Sequence, residues 1–186
     1  MRRRKLIAVI AILLFVAIGI LLTIRINLKY PKAEELIYQM DEEVPYGDDI
    51  YVHIDNVRFL SEEEKAQIHS FETESGFNFK SMVVTLSVTN KGTDERSAEL
   101  YPMMLVTGAF ANASEQFAFQ KLNENSECKT LRPTLKPGEV VTVQMPFLLY
   151  DSHFFPDDWE QVKEREFKLV FNLYPQKESI KLSLSE

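Results

Sequence analysis

Residues 80–90 read KSMVVTLSVTN, and this stretch decides the fold. Met82, Val84, Leu86 and Val88 recur at every second position, with Val83, Thr85, Ser87 and Thr89 between them. A period of two puts the first set on one face of a strand and the second set on the other. Thr and Ser suit the wetter face. Asn90-Lys91-Gly92 then supplies turn residues, with Gly able to take the positive φ that hairpin turns demand.

Working outward toward the N-terminus, Ile50, Val52 and Ile54 alternate before the phase shifts at Asp55-Asn56 and resumes at Val57 and Phe59, which predicts a strand with a bulge or tight bend. Ser61 to Ser70, with its Glu62-Glu63-Glu64-Lys65 run followed by Ile68, is polar enough for an exposed loop or one helical turn. Toward the C-terminus, Ala98 to Thr107 and Gln116 to Leu122 are further strand candidates, the first interrupted by Pro102, which sits most easily on an edge or at a bulge. Asn112-Ala113-Ser114 has the pattern of a glycosylation acceptor and reads as a plain loop, because a three-residue pattern is weakly specific.

Pro137-Gly138 predicts a type II turn. Val141, Val143, Met145 and Phe147 predict the strand after it, with an irregularity at Pro146. Phe154 to Arg165 carries a helix start, in which Asp157 caps the first turn and Glu160 reaches back to it. The lone Trp159 lies in that turn and is expected to plug the end of a core rather than stack a ligand. Phe167, Leu169, Phe171 and Leu173, then Ile180, Leu182 and Leu184 beyond Pro175, form two last strands able to pair as a hairpin. These segments together fit a mainly β fold, an antiparallel Ig-like β-sandwich of about seven strands with one short helix.

A single N-terminal transmembrane helix is expected to precede this domain. Leu6 to Ile24 contains no charge, and only Gly19 and Thr23 interrupt its aliphatic and Phe side chains. Its 19 residues reach roughly 28 Å as a helix, close to the hydrocarbon thickness of a bilayer. A cleaved signal peptide fits less well, because the one small-residue site, Ala17-Ile18-Gly19, is followed by Ile20, Leu21 and Leu22. A lipid anchor needs a cysteine just after the apolar run, and the single cysteine is Cys128. The triple arginine resembles a twin-arginine export signal, but a membrane span already explains so apolar a segment.

Arg2, Arg3, Arg4 and Lys5 on one flank, against Arg25, Lys29 and Lys32 on the other, favour a cytoplasmic N-terminus. The expected organisation is a basic cytoplasmic tail over residues 1–5, a signal-anchor helix over 6–28, a connector over 29–47 and an extracellular domain over 48–186. The connector holds Pro31, Pro45 and Asp41-Glu42-Glu43, and Ala33 to Met40 suits a short helix.

Residues 1–32 contain seven Lys and Arg and no acidic residue, which leaves 14 basic and 28 acidic residues for the rest. A domain so acidic is expected to be repelled by nucleic acid and by polyanionic surfaces, and a cationic partner suits it better. One cysteine excludes an internal disulfide, so Cys128 is expected to be a buried thiol or a free one that pairs between chains.

The chemistry the sequence offers is sparse. His53, His69 and His153 are scattered without metal-ligand spacing and read as surface or structural residues. Asp151, His153, Asp157 and Asp158 lie close enough to supply ligands to a hard cation, yet no glycine-bearing calcium loop surrounds them. Asp48-Asp49 and Glu62-Glu63-Glu64 read as solvated faces. With no nucleophile elbow, phosphate loop or dinucleotide fingerprint, no catalytic, cofactor-binding or metal-ligating residue is assigned and an enzyme is not expected.

Ile54-Asp55-Asn56-Val57-Arg58-Phe59, Leu135-Lys136-Pro137-Gly138-Glu139, Trp159, Phe167-Lys168-Leu169-Val170, Leu173-Tyr174-Pro175 and Ile180-Lys181-Leu182 together resemble a family of uncharacterised, membrane-anchored extracytoplasmic proteins of low-GC Gram-positive bacteria. The resemblance spans roughly residues 45–184. It is also similar to telokin-like, Ig-like domains of bacterial surface lipoproteins, from which this chain departs in lacking the lipidated cysteine. The resemblance implies a sandwich and no functional residue. The expected function is a membrane-tethered, single-pass binding module whose partner is another envelope protein or a peptide. The alternative is an envelope sensing or immunity protein that captures cationic peptides or metal ions on its acidic surface.

Overall fold

The computed structural model describes residues 2–184, with residues 2–9 and 71 as backbone only. The side chains of the basic flank Arg2 to Lys5 therefore lie outside the description, as do Met1, Ser185 and Glu186. The chain divides after Glu34 into two units.

The first unit is one helix, α1 (Arg2–Lys29). Its Ile10–Lys29 part is long and apolar enough to cross a membrane and has no buried residue. The Thr23 hydroxyl donates to the Gly19 carbonyl at 2.9 Å, so the one polar side chain in the apolar run is satisfied inside the helix. A hydrocarbon solvent requires that.

The second unit is mainly β. Its strands are β1 (Glu34–Tyr38), β2 (Val44–Gly47), β3 (Ile50–Phe59), β4 (Phe79–Asn90), β5 (Arg96–Ser97), β6 (Met104–Thr107), β7 (Phe110–Ala113), β8 (Thr134–Leu135), β9 (Val140–Tyr150), β10 (Phe167–Asn172) and β11 (Gln176–Leu182). Four short helices interleave, α2 (Glu62–Ile68), α3 (Ser70–Glu74), α4 (Gln116–Leu122) and α5 (Pro156–Glu160). One sheet runs β1-β11-β10-β6-β7, a second runs β2-β3-β4-β9, and β5 pairs β8 as a small ribbon.

β4 is central to its sheet and behaves as its alternation predicts. Met82, Val84, Leu86 and Val88 are fully buried, while Thr85, Ser87 and Thr89 are half-exposed. Val83, on the wetter face, is buried as well. The start of that face is covered from the α2–α3 segment, where Lys65 Nζ donates to the Phe79 carbonyl at 3.0 Å and His69 bonds Ser81 at 2.9 Å. The bulge expected at Asp55-Asn56 is present as a register shift between Ile54 and Asn56 against β4. The expected C-terminal hairpin is the β10–β11 pair, and Gly138 takes φ +75° in the Pro137-Gly138 turn.

The inward faces of both larger sheets bury one apolar cluster, to which Val52, Leu86, Met145, Leu105, Leu169 and Ile180 all belong. Trp159 joins it at 7 % exposure and so plugs the core as expected. Lys80 lies 4.3 Å above the indole ring and donates to the Trp159 carbonyl at 2.8 Å, which fixes the plug from β4. Cys128 is buried in the same cluster, where burial pushes its thiol pKa up.

Several expectations are corrected. Gln116–Leu122 is the helix α4 and not a strand. The Glu115 side chain accepts from the Phe117 and Ala118 amides, and the adjacent residues Ala118 and Phe119 are both buried, which a strand cannot do on one face. Ala33 to Met40 forms no helix. Glu34–Tyr38 is a strand beside β11, with Glu35 held by Lys177 at 3.1 Å and Tyr38 stacked on Phe171.

The expected connector over 29–47 thus contributes two strands to the sheets. Ser61 to Ser70 is helical because Ser61 and Glu64 form a capping box. The box expected at Asp157 and Glu160 is absent, since Phe155 is the N-cap and Pro156 opens α5. Ala98 to Thr107 is broken by a turn at Tyr101-Pro102, and Asn112-Ala113 ends β7 instead of lying in a loop. Asp48-Asp49 is solvent-exposed as expected, and forms a tight turn with φ +34° and +66°.

Candidate functional site

One end of the β domain gathers aromatic rings from four stretches of the chain, at His69, Phe77 to Phe79, Phe110 and Tyr150 to Trp159. His69 meets Phe79 edge-on at 5.5 Å, Phe79 meets Tyr150 at 6.2 Å, and Tyr150 meets both Phe77 and His153. His153 lies 5.3 Å from Phe110, Phe110 lies 5.2 Å from Phe154, and Phe154 lies 5.8 Å from Trp159. The run is continuous from His69, at the end of α2, to Trp159 in α5. Its deep members anchor it, while Phe77 at 53 % and Phe155 at 79 % exposure stand in solvent.

Backbone direction explains why the rings converge. β9 runs out of the sheet at Tyr150 into a 3-10 turn, Asp151–His153, which lays His153 against Phe110 of β7. Pro156 then starts α5 and turns Trp159 inward. Arg165, just before β10, reaches back across this segment. Its guanidinium pairs with Asp158 at 3.1 Å, donates to Thr107 Oγ1 at 3.2 Å and lies 5.6 Å from the Phe154 ring.

Three shallow hollows with shared walls make a groove here. The first, about 410 Å³, is lined by Phe110, His153, Phe154, Phe155, Asp158 and Arg165 among others. The second runs beside β7, from Ala109 to Asn112, and shares Phe110 and His153 with the first. The third shares Phe154 and adds Asp151, Asp157 and Glu160. Four carboxylates and one guanidinium thus line an aromatic channel. Such a groove can seat apolar and cationic side chains, the first by area and the second over ring faces and against carboxylates.

The candidate cation ligands are partly brought together: Asp151 and Asp157 line the third hollow, and His153 and Asp158 the first. Asp158 is taken by Arg165, and Asp151 accepts from Asn78 at 2.9 Å. Among the described residues no group of three His, Cys, Asp or Glu is placed to hold a metal. His53 pairs with Asp55 at 3.0 Å, away from the groove.

His69 is the unusual histidine. It is 1 % exposed, with Nε2 2.9 Å from Ser81 Oγ and Nδ1 lacking a hydrogen bond 4.0 Å from Glu72. Burial lowers its pKa below the ordinary histidine value, the carboxylates of Glu72 and Glu115 oppose that, and Lys65 adds to it. Glu62, Glu63 and Glu64, expected as a solvated face, form the first turn of α2, where Glu64 also pairs with Arg58 at 2.9 Å.

Sequence reading assigned no site residue: it took Trp159 as a core plug, weighed Asp151, His153, Asp157 and Asp158 only as cation ligands, and passed over Phe77, Phe110, Phe155 and Arg165. They lie nearly 90 residues apart, and only the sheet order joins them. The one local signal was the aromatic pair Phe154-Phe155 beside His153.

A mainly β domain that follows an apolar, span-length helix and carries a shallow aromatic groove is a domain of unknown ligand. The chain belongs to the family described as Domain of unknown function (DUF5028), which it matches over residues 35–178. No curated protein matches it. Among solved structures it is similar to an uncharacterised β-sandwich protein of Clostridium difficile, at 13 % identity over 82 % of this chain and 98 % of that one, with a TM-score of 0.44. It is similar also to a conserved hypothetical protein from Bacillus anthracis, at 18 % identity over 77 % of this chain and 95 % of that one, with a TM-score of 0.47. A functionally unknown protein from Listeria monocytogenes is 7 % identical over 78 % of this chain and 85 % of that one, with a TM-score of 0.47.

Proposed function

We propose that this chain is a membrane-tethered, non-catalytic binding module whose Ig-like sandwich stands outside the cell and meets another envelope protein or a peptide at the aromatic groove. The observation that carries the reading is Phe155, 79 % exposed on the wall of a groove whose other rings are held in place by the core. What sets this ring apart is its place on a groove wall, because rigid aromatic residues in such positions dominate binding energy at interfaces.

The span-length α1 suits a tether, and the basic excess before it favours an extracytoplasmic domain. The acidic rim of the groove favours a cationic ligand, so capture of a cationic peptide is the form of the sensing or immunity reading that this site supports.

Cross-linking on intact cells with a membrane-impermeant amine reagent, followed by mass spectrometry, tests the proposal. Lys80 lies on β4 beside Phe79 and Lys163 in the short turn after α5, and both are expected to give cross-links to a second envelope protein. Cross-links confined to this chain in cells that express it normally contradict the reading.

A further inference from the structure

β7 is an outer strand of the five-stranded sheet, and the groove runs beside its free edge. The direction of its backbone groups follows from its hairpin with β6. Thr107 and Phe110 face each other across the two-residue turn Gly108-Ala109, and Gly108 takes φ +56° at the first central position, as a type II′ turn requires. The pair that closes such a turn exchanges both hydrogen bonds, and the next pair to do so along an antiparallel ladder is Leu105 and Asn112. The N–H and C=O groups of Ala111 and Ala113 therefore point away from β6, toward the open side.

The other three outer strands of the two large sheets are guarded. β9 is shielded by Asn123, whose side chain bonds both the N–H and the C=O of Gln144, by the Glu115 amide on the Pro146 carbonyl, and by the Asn112 side chain on the Leu148 carbonyl. β2 carries Pro45 and a register shift beyond it. β1 carries the charges of Glu34 and Glu35. β7, with the sequence Phe-Ala-Asn-Ala, has no charge, proline or bulge, and its two alanines are small and exposed. Bare edges of this kind invite a further strand, and most proteins blunt them.

We propose that β7 is a docking edge for an extended, basic peptide segment of another protein, which adds to the sheet as a sixth strand with alternate side chains in the groove. The proposal rests on the binding-module reading and names its partner class. Main-chain bonds to Ala111 and Ala113 supply affinity, and the side-chain hollows supply choice. Basic character follows from charge: Asp151, Asp157, Asp158 and Glu160 line the adjoining hollows against the single guanidinium of Arg165.

The test uses the full chain in phosphatidylcholine nanodiscs and, as the probe, an eight-residue peptide alternating Lys and Val, with a Glu-Val peptide as its counterpart. The Lys-Val peptide is expected to bind at least about tenfold more tightly than the Glu-Val peptide, to weaken with salt, and to slow exchange of the Ala111 and Ala113 amides. Ala111→Pro, which deletes an outward donor, is expected to lower affinity by about tenfold. Ala111→Val keeps that donor and should leave affinity within about twofold.

Binding with the edge amides unprotected, or unchanged in Ala111→Pro, overturns strand addition and leaves a groove-only site, so the binding-module reading stands. Failure of the Lys-Val peptide to bind also overturns it, whereas failure of the broader reading shows as missing cross-links in cells. Protection of Ala111 and Ala113 in the nanodisc before peptide is added assigns the edge to the bilayer and overturns the proposal as well.

Discussion

Replacing Asn123 by Ala should destabilise the β domain by about 3 kcal/mol, worked from three lost hydrogen bonds to the backbone at roughly 1 kcal/mol each. Asn123 is fully buried at the end of α4. Its Nδ2 donates to the Phe119 carbonyl at 2.8 Å and the Gln144 carbonyl at 2.9 Å, and its Oδ1 accepts from the Gln144 amide at 3.0 Å. One side-chain amide thus replaces a neighbouring strand at the outer edge of β9. Alanine leaves both polar groups of Gln144 without these partners, and because Gln144 is half-buried, water recovers only part of the loss.

The assay is urea unfolding of the full chain in detergent, followed through the single Trp159. With a slope of about 2 kcal/mol per molar, the midpoint should fall by about 1.5 M. Asn123→Asp, which can still accept from Gln144 but cannot donate to its carbonyl, should also be destabilised. A loss below about 1 kcal/mol for Asn123→Ala, with an unchanged slope, refutes the claim that this side chain holds the edge.

Trp159→Ala should cost about 3–5 kcal/mol as a core cavity forms, and should free Lys80 from its ring; calorimetry on the full chain reads the loss. Ser61→Ala removes the acceptor of the Glu64 amide and should cost about 1 kcal/mol by the same method, with no effect at the groove. Because burial holds folded His69 below the ordinary value of 6.5, the unfolded chain takes up the extra proton first as pH falls. Stability should therefore decline as pH drops below about 6.5, and unfolding midpoints of His69→Gln should show a flatter slope through that window.

The long strands were legible because their pattern and their surroundings agree. β4 from Val84 onward and the first half of β9 bury every second residue, and the bulge in β3 sits where the alternation slips. The short elements were not. α2 has no buried residue, so no periodicity marked it, although Ser61 and Glu64 carried its cap in plain sight. Asp157 and Glu160 have the same spacing, but Pro156 at the first helical position sets the start one step earlier and the cap does not form. In α4 two buried neighbours and an exposed Phe117 mimic a short apolar run, and the helix shows only once Glu115 is seen to cap it.

The groove escapes a linear reading for a different reason. Phe110 reaches His153 only because β7 lies at the end of one sheet and β9 at the edge of the other. Arg165 reaches Thr107 because β10 pairs with β6. Neither fact follows from residues near them in sequence. The histidine and carboxylates of Asp151 to Asp158 were weighed only as cation ligands, and in the structure the segment carries an Arg165 clasp and ring contacts.

The central claim is that the aromatic end meets a partner, and position-resolved photo-cross-linking in intact cells tests it most directly. A photoreactive phenylalanine analogue replaces Phe155 in one strain and Val140 in another. Both positions are exposed, and Val140 lies at the far end of β9 from Tyr150, about 33 Å away along an extended strand. A discrete adduct to a second protein from position 155 and none from position 140 is the predicted result. No adduct from 155, or equal adducts from both, contradicts the account.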